Sequence, residues 1–129
     1  MNKILVEVSV GELLDKISIL EIKREKIKNQ DKLRFINDEY EVLNNQLKQK
    51  IKSDKKLNSL FQSLKEINAK LWIIEDDKRL CEKNSDFTEN FIKLSRDVHF
   101  LNDDRAKIKL EINSHTGSKI KEIKEYTKY

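Results

Sequence analysis

The chain has 129 residues, 39% of them charged, with a net charge of +4, two glycines and no proline. That length supplies one core, and the near absence of turn formers excludes an all-β fold and points to long helices with charged faces. A single cysteine, Cys81, excludes an intrachain disulfide and suits a reducing cytoplasm.

Residues 3–8, KILVEV, are aliphatic and β-branched and are expected to be extended. Ser9 and Glu12 then form an S-x-x-E capping box, which opens a first helix over residues 10–28. On a wheel of about 100° per residue, Val10, Leu13, Leu14, Ile17, Leu20 and Ile27 share one face, and Ile19 and Ile22 lie nearly opposite. A helix apolar on two sides is central or sits at an interface. The expectation is that Ile17 and Leu20 turn toward the third and fourth helices, with Ile19 and Ile22 toward another surface.

Asp31 is the expected N-cap of a second helix over 32–52, with Leu33, Ile36, Tyr40, Leu43, Leu47 and Ile51 as its seam. Ser53 or Asp54 opens a third over 55–83. Its seam runs Leu57, Leu60, Leu64, Ile67, Leu71, Ile74, Lys78 and Cys81. Asp86-x-x-Glu89 reads as a second capping box for a fourth helix over 87–115, whose stripe from Phe87 to Ile112 is interrupted by Arg105. Gly117 reads as the helix stop, and 118–129 is a basic tail.

Short connections force antiparallel neighbours, so the sequence predicts an all-α, up-down antiparallel bundle of four helices in a single domain, the last two forming a long hairpin. The third and fourth helices reach about 43 Å at 1.5 Å per residue, whereas the first two have about 20 residues each. The far end of the hairpin, with Ile73, Ile74, Leu80, Phe87, Phe91 and Ile92, then projects. A homodimer through this hairpin is expected unless the first helix slides up or the tail folds back to cover it.

No motif for a cofactor, metal or nucleophile is present: there is no glycine-rich phosphate loop, no C-x-x-C and no G-x-S-x-G. Arg96 and Ile112 stand three residues before His99 and His115, so the E-x-x-H pair of bundle di-metal sites is missing. Cys81 reads as a small core residue. No apolar run approaches the roughly 20 residues of a membrane span. Basic clusters at Lys48, Lys50, Lys52, Lys55 and Lys56, and at Lys119, Lys121, Lys124 and Lys128, could hold phosphates. Interleaved acids and the absence of arginine there make nucleic acid the weaker expectation.

What remains is charge inside the bundle. Arg105 interrupts the stripe of the fourth helix, Glu21 and Arg24 lie on the main face of the first, Tyr40 on the seam of the second and Asn68 at the edge of the third. Mirroring the hairpins about their turns puts Glu21, Tyr40, Asn68 and Arg105 in one polar layer. That layer fixes register, or it forms an anion pocket in which Arg105 and Arg24 grip a carboxylate or phosphate. Glu75, Lys78 and Glu82 of the third helix, facing Arg96 of the fourth, are expected to form an interhelical salt-bridge ladder.

The stretches SVGELLDKISILEIK (9–23), LWIIED (71–76), FIKLSRDV (91–98), ND at 102–103, RA at 105–106 and GSKI followed by EIKEY resemble a family of small uncharacterised proteins. It is a domain of unknown function found in bacteria and their phages. The resemblance covers about half the chain and implies no established activity. Glu21, Glu75, Asp76, Asn102 and Arg105 fall inside its motifs, whereas Arg24 and Lys78 stand where the family more often has an apolar residue. It therefore favours Glu21–Arg105 as a structural pair. The function expected is a non-enzymatic interaction or scaffold module acting as a homo-oligomer, with an unidentified protein partner. The alternative is a binder or enzyme of a small anionic metabolite using Arg105 with Glu21.

Overall fold

The computed structural model describes residues 2–120 and 122–129. It contains four helices: α1 (Val10–Lys26), α2 (Gln30–Lys50), α3 (Lys55–Lys83) and α4 (Glu89–Thr116). Among the described residues there is no strand; residues 2–8 lie exposed and unpaired, with Leu5 92% exposed. Lys121, counted above in the basic tail, lies outside the described residues. Among the described residues no helix is long and apolar enough to cross a membrane.

Each start follows from local chemistry. Ser9 Oγ accepts from Glu12 N, and Asp54 Oδ1 accepts from Leu57 N. Asn29, not Asp31, caps α2, accepting from Lys32 N, so α2 begins earlier than expected. The box expected at Asp86 does not form. Asp86 instead accepts from the N–H and hydroxyl of Thr88, a local turn that delays α4 to Glu89. Gly117 ends α4 in the left-handed region at φ 67°, where glycine has no Cβ penalty.

α1 is the central element: it packs against α2, α3 and α4, and α3 and α4 pack along each other. α2 lies against α1 alone, and Ile36 is its only buried residue. The apolar core sits at the end of the bundle where α1 and α3 begin and α4 ends. Leu14, Leu57, Leu64 and Ile112 form it, with Leu47 and Ile51 closing it from the α2 side. Burying each of these aliphatics stabilises the fold by about 2 kcal/mol.

α1 meets α4 at unusually close range, and Gly11 explains how. A Cβ at Gly11 would lie 2.6 Å from Lys109 O and 2.9 Å from Asn113 Oδ1. The approach also satisfies the helix start. The first four N–H groups of a helix have no partner within it. Here Val10 N donates to Ser118 Oγ, Gly11 N to Asn113 Oδ1, Glu12 N to Ser9 Oγ and Leu13 N to Ser9 O.

Val10 and Leu14 of the expected face do pack on α3 and α4, in the core with Leu57, Leu64 and Ile112, but the arc expected to face another surface turns there too. The stripe Gly11, Asp15, Ser18 and Ile22, spaced four, three and four, turns toward α3 and α4: Gly11 meets α4, Asp15 both helices, and Ser18 and Ile22 meet α3. Arg24, about 180° around the wheel from Asp15, stacks on Tyr40 of α2 at 4.3 Å. Arg24 shares an arc with Leu20 and Ile17, so the aliphatic face reaches round from the α3–α4 core at Leu14 toward α2, and the closely approaching arc at Gly11 is built from small and polar residues.

Beyond the end of α1, the α3–α4 hairpin continues alone. The tail does fold back along α4, Glu122 reaching Lys109 and Tyr129 bonding Asp103 and packing on His99 and Phe100. It ends at that level and leaves Leu80, Phe87 and Ile92 exposed.

Candidate functional site

The buried charge of the bundle centres on Asp15, 2% exposed in a layer made by three helices. Arg105 of α4 donates to it through both Nε, at 2.9 Å, and Nη2. Asn68 of α3 donates from Nδ2 to Asp15 Oδ1 at 2.9 Å and to Ser18 Oγ at 2.8 Å, and Ser18 donates to the Asp15 carbonyl. No buried side-chain nitrogen or oxygen is left without a partner among the described residues. The fork of arginine matches a carboxylate with two parallel bonds, which fixes both distance and angle between α1 and α4.

Burial alone would raise the Asp15 carboxyl. The hydrogen bonds from Arg105 and Asn68 and the charges of Arg105 and Lys109 outweigh it and hold Asp15 below its ordinary 3.8. Next to this pair, Lys109 bonds Glu12 at 2.7 Å and Glu122 of the tail at 3.1 Å, with Asp15 at 3.9 Å. Burial by itself would lower the Lys109 ammonium, and these carboxylates raise it above 10.5 instead.

Of the four residues expected in the polar layer, Asn68 and Arg105 come together, on Asp15. Glu21 does not join them. It lies about 120° around α1 from Asp15 and accepts from Lys65 of α3 at 3.1 Å, a lysine shared with Glu25. Tyr40 is on the α2 side, under Arg24. The expected Glu21–Arg105 pair is therefore replaced by Asp15–Arg105.

The salt-bridge ladder does not form either. None of Glu75, Lys78, Glu82 and Arg96 joins an ion pair among the described residues. The Lys78 ammonium lies 5.8 Å from the centroid of Phe91, and the Arg96 guanidinium 5.9 Å from that of Phe100. Asn102 faces the returning tail beside His99, Tyr126 and Tyr129.

Glu75 and Asp76 have a different neighbourhood. They line a groove of about 490 Å³ between the C-terminal half of α1 and the middle of α3. Ile19 and Ile22 of α1 and Leu71 and Trp72 of α3 form its apolar part. Asn68 and Arg105 close its inner end, while Lys26 and Arg79 stand with the two acids at its rim. Arg105 is 28% exposed, and its Nη1 makes no hydrogen bond among the described residues.

Three residues central to this region escaped the sequence reading: Asp15, Lys109 and Gly11. The signal was present in the four-three-four spacing of Gly11, Asp15, Ser18 and Ile22, which places the smallest residues of the helix on one stripe and an acid between them. Among the described residues no group of three or more His, Cys, Asp or Glu side chains is arranged to hold a metal ion.

No curated protein and no solved structure matches the chain. A family model does, over residues 4–129, and with nearly the whole chain matched this protein belongs to that family, a family of unknown function (DUF6165).

Proposed function

We propose that this protein is a non-enzymatic helical interaction module that works as a homo-oligomer, a second copy packing on the rear of the α3–α4 hairpin. The observation that carries this reading is the apolar surface on that hairpin. Ile73, Leu80, Phe87 and Ile92 are each about half exposed, and Phe100 beside them is also exposed. On the wheel, Leu80 lies about 180° from Leu71 and Ile73 about 140° from Asn68, so both point away from α1. Ile73 and Phe100 meet in one shallow depression on that side, together with Ile74 and Leu101. A contiguous surface of this kind on a hairpin without a third helix is what a partner helix covers.

The occupant is a second copy because the surface is self-complementary in charge. Lys70 and Asp97 flank the Ile73–Phe100 depression, and Lys93, Arg96 and Glu89 flank Ile92. A two-fold axis passing through the depression brings Lys70 of one copy opposite Asp97 of the other. Against an anion site built from Arg105 with Glu21 stands the geometry above: Asp15 occupies the Nε–Nη2 edge of the guanidinium, and Glu21 is engaged by Lys65.

Light scattering after gel filtration tests the reading. The expected result is the mass of two chains, reduced to one in the double variant Ile73→Lys/Leu80→Lys at unchanged helicity. A parent chain that stays monomeric at every concentration, or a double variant that stays dimeric, would refute it.

A further inference from the structure

The groove between α1 and α3 lies on the other side of the hairpin from that surface, and its charges are unusual. Lys26, Glu75, Asp76 and Arg79 surround one rim, yet none of the four joins an ion pair among the described residues. On α3, Glu75 and Asp76 stand one turn before Arg79, so opposite charges sit side by side there. Below them the wall is apolar, with Ile22 and Leu71 buried and the half-buried face of Trp72 beside them.

We infer that this groove binds a small zwitterion with a large apolar body, the chemistry of a free α-amino acid with an aliphatic or aromatic side chain. An amino-acid head carries carboxylate and ammonium on one carbon, a few ångströms apart. Arg79 and Lys26 take the carboxylate, and Glu75 and Asp76 take the ammonium. The side chain enters between Ile19, Ile22 and Trp72, where removal from water drives binding. Arg105 closes the inner end, its charge balanced by Asp15. From Asn68 to Arg79 the α3 stripe spans about 16 Å at 1.5 Å per residue, longer than such a molecule. The volume of about 490 Å³ falls in the range of small-molecule sites.

Trp72 is the only tryptophan, so its emission reports the groove directly. The experiment titrates L-leucine and L-phenylalanine, and in parallel their N-acetyl amides, which keep the side chain and lack both charges. The expected result is a saturable change in Trp72 emission with the free amino acids and none with the amides. Glu75→Gln and Arg79→Gln alter exposed side chains and should melt close to the parent, yet each should weaken binding by roughly tenfold, the worth of one charge-assisted hydrogen bond.

A flat titration with both amino acids would overturn the inference. So would an equal response to the amides, or unchanged affinity in both variants. Arg79→Gln should leave the oligomeric mass unchanged, so a failure here is distinct from a failure of the self-association reading.

Discussion

Replacing Asp15 with Ala should cost this protein far more than replacing Glu21 with Ala, although Glu21 is the acid that the sequence places beside Arg105. Asp15 accepts from Arg105 twice and from Asn68 once, and it is buried. Removing one partner of a buried pair costs about 3–5 kcal/mol. Arg105 borders the groove at 28% exposure and can regain some water, which places the loss at the lower end, about 3 kcal/mol. For a domain of this length each kcal/mol is worth about 3–4 °C, so the midpoint should fall by about 10 °C. Glu21 touches Lys65, and Lys65 keeps Glu25 when Glu21 is gone. A pair of that partly exposed kind is worth about 0.2–1 kcal/mol. The assay is thermal and urea unfolding followed by circular dichroism. A cycle of Asp15→Asn with Arg105→Gln should return a coupling of about 2 kcal/mol, within the range for directly bonded groups. Equal losses for Asp15→Ala and Glu21→Ala, or a cycle without coupling, would refute the layer as described.

Gly11→Ala should destabilise by about 1–3 kcal/mol, because the new methyl meets the Lys109 backbone and α1 has to retreat from α4; urea midpoints measure it. The pH dependence follows from the depressed Asp15 carboxyl. Its contribution is complete above the unfolded value near 3.8 and is lost as pH falls through the lower folded value. Stability should therefore drop below about pH 4, with a smaller acid loss in Asp15→Asn than in the parent. α2 rests on α1 alone with Ile36 as its only buried residue, so its amides should exchange with solvent before those of α3 and α4. Protection of α2 equal to that of α3 in native-state hydrogen exchange would contradict this.

The fold class was legible because the signals for it are local. Capping oxygens at Ser9 and Asp54, the glycine at 117 and apolar seams of constant spacing act within a few residues, and the chain lacks the glycine and proline that any competing class needs. Boundaries were less legible where two polar residues compete for a cap, as at Asn29 and Asp31, or where a side chain bonds its own turn, as at Asp86. The peripheral position of α2 was not legible. Its seam is as regular as that of α3, and only the tertiary arrangement shows that most of that seam meets one helix.

The site was half legible, and the division has a physical cause. Asn68 and Arg105 stand out because each is a polar side chain on a long apolar stripe, so burial can be inferred from the stripe itself. Asp15 is not on the stripe richest in large aliphatics; its neighbours at helical spacing are Gly11, Glu12, Ser18, Ile19 and Ile22, of which only the last two are large and apolar. A rule that finds the buried face by counting large apolar residues selects the arc of Val10, Leu14, Ile17 and Leu20, which supplies the apolar core at Leu14 but leaves out Asp15. Close packing inverts that rule: where helices approach within reach of each other's backbone, only small side chains fit, and the contact is held by hydrogen bonds in place of apolar bulk. Gly11 permits the approach, Asn113 caps α1 across it, and the Asp15 carboxylate joins α3 to α4 one turn further on. The same arc continues at Ile19 and Ile22, which line the groove with α3. The layer that secures the helices and the groove beside it are thus two parts of one interface, with Arg105 shared between them.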